Sequence, residues 1–344
     1  MTSDLILGFA LILLGAICGG SFGLPSKFAP QDTPWENLWG PFFFFATILI
    51  PVVLGPVVVK DFYQSFSGVS WSVMIPPIIF GFLWGLGSMT LGLSFAFIGL
   101  SLAYAINYGA QIAFGAIAPM LLRRPEQILM PHGLVVLAGV AVCLLGVVVS
   151  GRAGILKTRS LEADSSQQPN SEKSGWESKI LFGLVLAFVS GLLCACYAVA
   201  VDFGNDLKAN PFVVMSLILW SGAVSSCSYC VFQLCKNKTW GHFAKPGLGR
   251  ILLLAAIMAC LHDGAILSFG KAVGYLGLEI GVSVGYAVFM SFAIIVGNVN
   301  GFITGEWKGA SRLSVRWIVA GIAVLIVGVC ILAQANLMAL SASK

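Results

Sequence analysis

The sequence predicts an all-α integral membrane protein, with ten transmembrane helices arranged as two inverted five-helix repeats. Three observations carry this. Apolar residues fill 58% of 344 positions, charged residues fill 10%, and the mean hydropathy is +0.95; a soluble domain carries roughly a quarter charged residues. Ten stretches reach the length of about 20 apolar residues that a span requires. The two halves of the chain also resemble each other.

Taken in order, the expected spans are 5–26, 37–59, 73–96, 100–122, 133–150, 180–201, 211–235, 250–273, 279–303 and 315–337. Lipid offers no hydrogen-bond partners, so the backbone inside each must satisfy itself as a helix or a closed barrel. Runs of this length without strict alternation select the helix. The first stretch is preceded by Asp4 and by no Lys or Arg. A secretory signal starts basic and ends in a small-residue cleavage site, so this stretch is read as a retained span. Gly81 and Gly85 are spaced for close helix contact.

The long polar stretch 154–179 is too poor in apolar residues to order itself and is expected to be a linker. It separates a first repeat, 1–153, from a second, 180–344. Gly8-Phe-Ala-Leu-Ile-Leu-Leu-Gly-Ala matches Gly183-Leu-Val-Leu-Ala-Phe-Val-Ser-Gly at an offset of 175, which also pairs Phe22 with Tyr197 and Phe28 with Phe203. Gly99-Leu100 matches Gly277-Leu278 and Tyr108 matches Tyr286 at an offset of 178. Five spans per repeat send the second half into the membrane from the opposite side, an architecture shared by secondary transporters, with the site near the midplane. Thirteen basic residues lie in odd-numbered loops and six elsewhere. The positive-inside rule then predicts a cytoplasmic linker and both termini on the outer side.

The basic residues are dispersed over short loops, which excludes a nucleic-acid-binding surface. Most of the nine cysteines lie in apolar segments, where thiols pack between helices, and the Cys227-x-x-Cys230 spacing lacks a second ligand pair. No metal or organic cofactor is expected. The Gly-rich run 81–92 lacks the strand–loop–helix setting of a phosphate loop. No H-E-x-x-H or G-x-S-x-G frame surrounds an ionisable pair, so an integral-membrane enzyme is a remote alternative.

Candidate site residues follow from where polar groups enter apolar spans. Asp263 is the acidic residue set deepest in a span, beside His262. An intramembrane ionisable group is costly and marks a site by default; these two are the candidates for proton coupling. Adjacent helix positions point about 100° apart, so the pair cannot face one substrate equally. Tyr104, Asn107, Tyr108 and Gln111 follow i, i+3, i+4, i+7 and form a polar stripe expected to line a cavity. Ser283, Tyr286 and Met290 take one face of the ninth span, and Trp84 and Ser88 one face of the third. Hydroxyls, amides and aromatic faces suit a sugar, which presents hydroxyls at its rim and an apolar C–H face. Lys27 and Glu36, at the first-to-second span connection, are candidates for an access path. Glu279, Glu306, Asp202 and Lys271 are read as interfacial residues at span ends.

Four stretches carry a family likeness: Trp35-Glu-Asn-Leu-Trp39, Gly81-Phe-Leu-Trp-Gly-Leu-Gly-Ser88, Gly146-Val-Val-Val-Ser-Gly-Arg-Ala-Gly154 and Gly305-Glu-Trp-Lys-Gly309. Through them the chain resembles the L-rhamnose–proton symporter family of the drug/metabolite transporter superfamily. His262-Asp263 lies outside those stretches. The resemblance implies a secondary active transporter of the bacterial inner membrane, taking up a monosaccharide, L-rhamnose, with H+ as coupling ion. Its partners would be the sugar and the lipid bilayer. A metabolite or drug exporter on the same scaffold is the alternative. The expected mechanism is alternating access, with protonation of Asp263 linked to sugar binding.

Overall fold

The computed structural model describes residues 2–164, 170–278 and 285–342, and among these there is helix and no strand. The helices are α1 (Thr2–Ser21), α2 (Trp35–Phe44), α3 (Ile50–Val58), α4 (Trp71–Arg123), α5 (Pro131–Asp164), α6 (Asn170–Gly204), α7 (Pro211–Asn237), α8 (Leu248–Leu278), α9 (Tyr286–Ile303) and α10 (Arg312–Ala342). Eight stretches among the described residues are long and apolar enough to cross a membrane, and Val288–Ile303 is a shorter apolar helix.

Two local features shape the interior. A π-turn, Phe45–Leu49, joins α2 to α3 in one rod. Pro51 explains it: proline has no N–H for the carbonyl four residues back, and its ring pushes that carbonyl away, so the preceding turn widens. The second feature is Gly99. Its φ of 77° and ψ of 174° interrupt the 53-residue α4, and only glycine adopts that conformation without strain. A straight α4 would be about 80 Å long, far beyond a bilayer core of about 30 Å. Instead the two arms, 71–98 and 100–123, fold back side by side. Ser190 of α6 touches both, donating to Gly87 O (2.7 Å) and accepting from Asn107 Nδ2 (2.8 Å). At the far end Phe80 and Arg123, one from each arm, both meet Phe203.

Packing follows from small residues. A Cβ on Gly81 would lie 2.8 Å from the Ile218 carbonyl oxygen, and one on Gly85 2.6 Å from Gly222 Cα, so α4 rests against the α7 backbone as the glycine spacing predicts. Both arms of α4 pack on α6, α1 packs on α8 and α9, and α5 packs on α10. α7 starts on Pro211, with Asn210 Oδ1 accepting from Phe212 N at 2.9 Å. Large apolar side chains such as Ile6, Val57, Val148, Phe232 and Ile303 point outward, as a lipid-facing surface requires.

The expected linker is shorter than 154–179. α5 continues to Asp164 and α6 begins at Asn170. Composition alone missed the neighbour that supports the extension. Ser160 Oγ accepts from Ser311 N (3.0 Å), and Lys157 Nζ lies 5.0 Å above the Trp307 ring. α5 therefore runs on along the α9–α10 connection.

Candidate functional site

Trp84 and Ser88 from the first arm of α4 meet His262 from α8 at one cavity. Phe22, Phe42, Phe43, Ala46 and Thr47 complete its wall. The last four belong to α2 and its π-turn, so the widened turn caused by Pro51 borders the cavity. His262 is held by aromatic rings: Phe22 at 5.6 Å and Phe42 at 5.9 Å edge-on, and Trp84 at 5.9 Å tilted. Tyr197 in turn packs 5.8 Å from Trp84. The cavity measures about 10 Å³, room for about one water molecule.

Asp263 sits behind this wall. Only 2% of it is exposed, its Oδ1 is 2.7 Å from His262 Nδ1, and its Oδ2 has no hydrogen-bond partner among the described residues. The division expected of neighbouring positions is what the helix produces: His262 borders the cavity and Asp263 supports the imidazole from the side. A carboxylate accepting from Nδ1–H leaves Nε2 as the nitrogen able to bind a proton or a hydroxyl. Thr47 Oγ1 donates to Phe43 O at 2.6 Å and also bonds with the Cys227 thiol.

The stripe on the fourth span does not line this cavity. Its hydroxyls and the Asn107 amide nitrogen bond between helices, while Asn107 Oδ1 is buried without a hydrogen-bond partner among the described residues. Tyr104 Oη accepts from Gly23 N (2.9 Å), Tyr108 Oη donates to Gly19 O (2.8 Å), and Asn107 joins Ser190 as described. Gln111, a turn further along, also lies away from the cavity. Tyr286 packs edge-on to Phe269 at 5.8 Å, and Met290 is buried in the core. Ser283 and Glu279 fall outside the described residues.

Lys27 and Glu36 do not border the cavity either. Glu36 is buried, and its Oε1 accepts from Asn237 Nδ2 (3.0 Å) and Thr239 Oγ1 (2.7 Å), tying the start of α2 to the end of α7. Lys27 Nζ binds Glu306 Oε1 at 2.8 Å. Glu306 is therefore no solvated interfacial group. The same carboxylate accepts from Leu100 N (2.6 Å) and Ser101 N (3.0 Å) at the head of the second arm of α4. Burial alone would push its carboxyl up, but Lys27 and the two backbone N–H groups outweigh burial and hold it below the usual carboxylate range.

The cavity brings together the expected candidates Trp84, Ser88 and His262, with Asp263 behind it; Phe22, Phe42, Phe43, Ala46 and Thr47, and the anchoring of Glu306, were not among the sequence expectations. One signal was within reach. Trp84 and His262 stand 178 residues apart, the offset that pairs Tyr108 with Tyr286, and Phe22 and Tyr197 are themselves a repeat pair.

A bundle of helices long and apolar enough to cross a membrane, with a buried ionisable pair beside a small cavity, defines a multi-pass membrane protein. The particular group follows from comparison with known proteins. The family described as L-rhamnose-proton symport protein (RhaT) matches residues 1–340, and the chain belongs to that family. Similar proteins include the L-rhamnose-proton symporter of Pectobacterium atrosepticum, 25% identical with 95% of this chain and 96% of that protein covered. The L-rhamnose-proton symporter of Yersinia pestis bv. Antiqua is 26% identical with the same coverage.

Proposed function

We propose that this protein takes up L-rhamnose together with a proton across the bacterial inner membrane by alternating access. The observation that carries the reading is the cavity itself: aromatic on most sides, and joined through His262 to a buried carboxyl with one oxygen unpaired. Trp84 and the phenylalanine faces suit the C–H face and methyl group of a deoxy sugar. Thr47, Ser88 and His262 supply the hydroxyl partners. Asp263 and His262 form the proton site. A proton drives transport only if it binds one state better than another, and a carboxyl whose hydrogen-bonding changes when sugar reaches His262 meets that condition. A hexose is far larger than a cavity of about 10 Å³, so the aromatic wall must part to admit it. The present conformation is read as the occluded one.

The ten-span, two-repeat architecture belongs to the same proposal. Dividing α4 at Gly99 and counting the shorter Val288–Ile303 brings the spans to ten. The packing exchanges partners as an inverted repeat requires: α1 lies on α8 and α9, and its counterpart α6 lies on the two arms of α4. The excess of basic residues in odd-numbered loops orients the Gly99 end, with the polar stretch after α5, toward the cytoplasm, and both termini toward the periplasm.

The test is uptake of labelled L-rhamnose by cells expressing the protein, with and without a protonophore. Accumulation abolished by the protonophore is expected. Accumulation that survives it overturns proton coupling, and no uptake with membrane insertion verified overturns the sugar.

A further inference from the structure

Two charged clusters lie at opposite ends of the bundle, and each joins the first half of the chain to the second. At the Gly99 end, Glu306 of the second half binds Lys27, Leu100 N and Ser101 N of the first. At the other end, Asp202 and Asp206 of the second half meet Arg123 and Arg124 of the first. Arg124 Nη2 is 2.7 Å from Asp202 Oδ1, Arg123 Nη2 is 3.0 Å from Asp206 Oδ2, and Arg123 Nη1 donates to Asp202 O at 2.8 Å. Along the second arm of α4 the clusters are roughly 36 Å apart, slightly more than a bilayer core.

The clusters are counterparts under the repeat. Lys27 and Asp202 are 175 residues apart, the offset that pairs Phe22 with Tyr197 and Phe28 with Phe203. Each closes its helix, α1 or α6, against charges at the far end of a neighbouring segment. The signs are exchanged, so the two ends cannot bind each other's partners.

They also differ in construction. Glu306 has a built socket. A Cβ at Gly99 would lie 2.7 Å from its carboxyl carbon, and one at Gly301 2.7 Å from Oε2, so only glycines leave room for it. Its side chain is 5% exposed. At the other end Asp202 is 17% exposed and its partners Arg123 and Arg124 are 27% and 49% exposed, against 5% for Glu306 and 32% for Lys27, and more exposed pairs bind more weakly.

Resting on the reading of the chain as an alternating-access transporter, we propose that these clusters are the two latches of its cycle. Glu306 in its glycine socket shuts one face, the Asp202–Arg124 cluster shuts the other, and they release in alternation. Both are closed here, together with a cavity too small for a sugar. The weaker Asp202 latch opens first, and the Glu306 latch is the one whose release limits turnover.

The experiment places a single reactive cysteine at the cavity (Ser88→Cys, the nine native cysteines replaced) and measures its reaction with a membrane-impermeant thiol reagent in right-side-out and inside-out vesicles. Glu306→Gln is expected to raise labelling from the face at the Gly99 end by about tenfold or more, because it weakens charge-assisted bonds in a buried socket. Asp202→Asn should raise labelling from the opposite face by about two- to fivefold. Arg124→Ala, on an exposed side chain, should repeat the second result if Asp202→Asn inserts poorly. A rise from the same face in both classes of variant, or no rise in either, overturns the latches. The labelling uses no sugar, so an incorrect assignment of rhamnose leaves this result standing. Rhamnose uptake with unmoved labelling would discard the latches alone.

Discussion

Two polar regions lie within the same bundle, one on each arm of α4. On the second arm, Tyr104, Asn107 and Tyr108 spend their hydrogen bonds on α1 and α6. On the first, Ser88 and Trp84 look across a cavity at His262, behind which Asp263 keeps one oxygen unpaired. The residue types are similar and both regions are buried. What separates them is the setting: the stripe's hydroxyls and the Asn107 amide nitrogen bond to neighbouring helices, whereas Trp84, Ser88 and His262 face a cavity with a buried ionisable group behind it. Polar groups between membrane helices act as glue, whereas a buried ionisable residue is a functional-site candidate.

Substitutions that remove one group at a time test this distinction. The largest effect is expected at Asp263→Asn. Uphill accumulation should disappear while counterflow exchange of sugar persists, since the proton site is lost and the cavity wall is kept; unchanged accumulation would remove Asp263 from coupling. Next comes Ser88→Ala, which should raise the KM for sugar about two- to tenfold, the worth of one hydrogen bond, with no change in thermal stability of the purified protein. Tyr108→Phe should do the reverse. It deletes one interhelical bond, worth about 0.6 kcal/mol on average in membrane proteins, and should lower the melting temperature slightly at an unaltered KM. A raised KM in Tyr108→Phe would return the stripe to the substrate path. The smallest effect concerns Glu306. Its carboxyl titrates lower in the folded protein than in the unfolded chain. Its stabilising contribution is therefore fully present above the ordinary carboxylate value of about 4.3 and is lost only as pH falls through the lower folded value. Thermal stability measured across the neutral range should show no Glu306-dependent step, so a step abolished by Glu306→Gln would contradict the bonding described for this carboxylate.

Much of this was legible in the sequence, because lipid imposes simple demands. Apolar length marked helices able to cross a membrane, eight of them among the described residues, Gly81 and Gly85 marked a close helix contact, and the expense of burying Asp263 singled out His262-Asp263 as a candidate. Other features were not legible, for a common reason. Glu306 reads as a span-end carboxylate because its socket is made by Gly99, about 200 residues away, and by the helix N–H groups that glycine exposes. The stripe reads as a cavity wall because spacing reveals which face a side chain takes but not whether a neighbouring carbonyl has already claimed it. Thr47 and the residues before it were hidden inside a uniformly apolar span, and the consequence of Pro51 for the preceding turn appears only when the backbone is followed.

Gly99 has a mechanical consequence. The two arms of α4 meet at a single residue, with no loop to absorb slack. One arm holds Trp84 and Ser88; the other begins with the N–H groups that grip Glu306. Under the latch proposal the pair would work as a crank with Gly99 as its elbow: release of Glu306 would free the elbow, and a swing of one arm would reach the aromatic wall with little play.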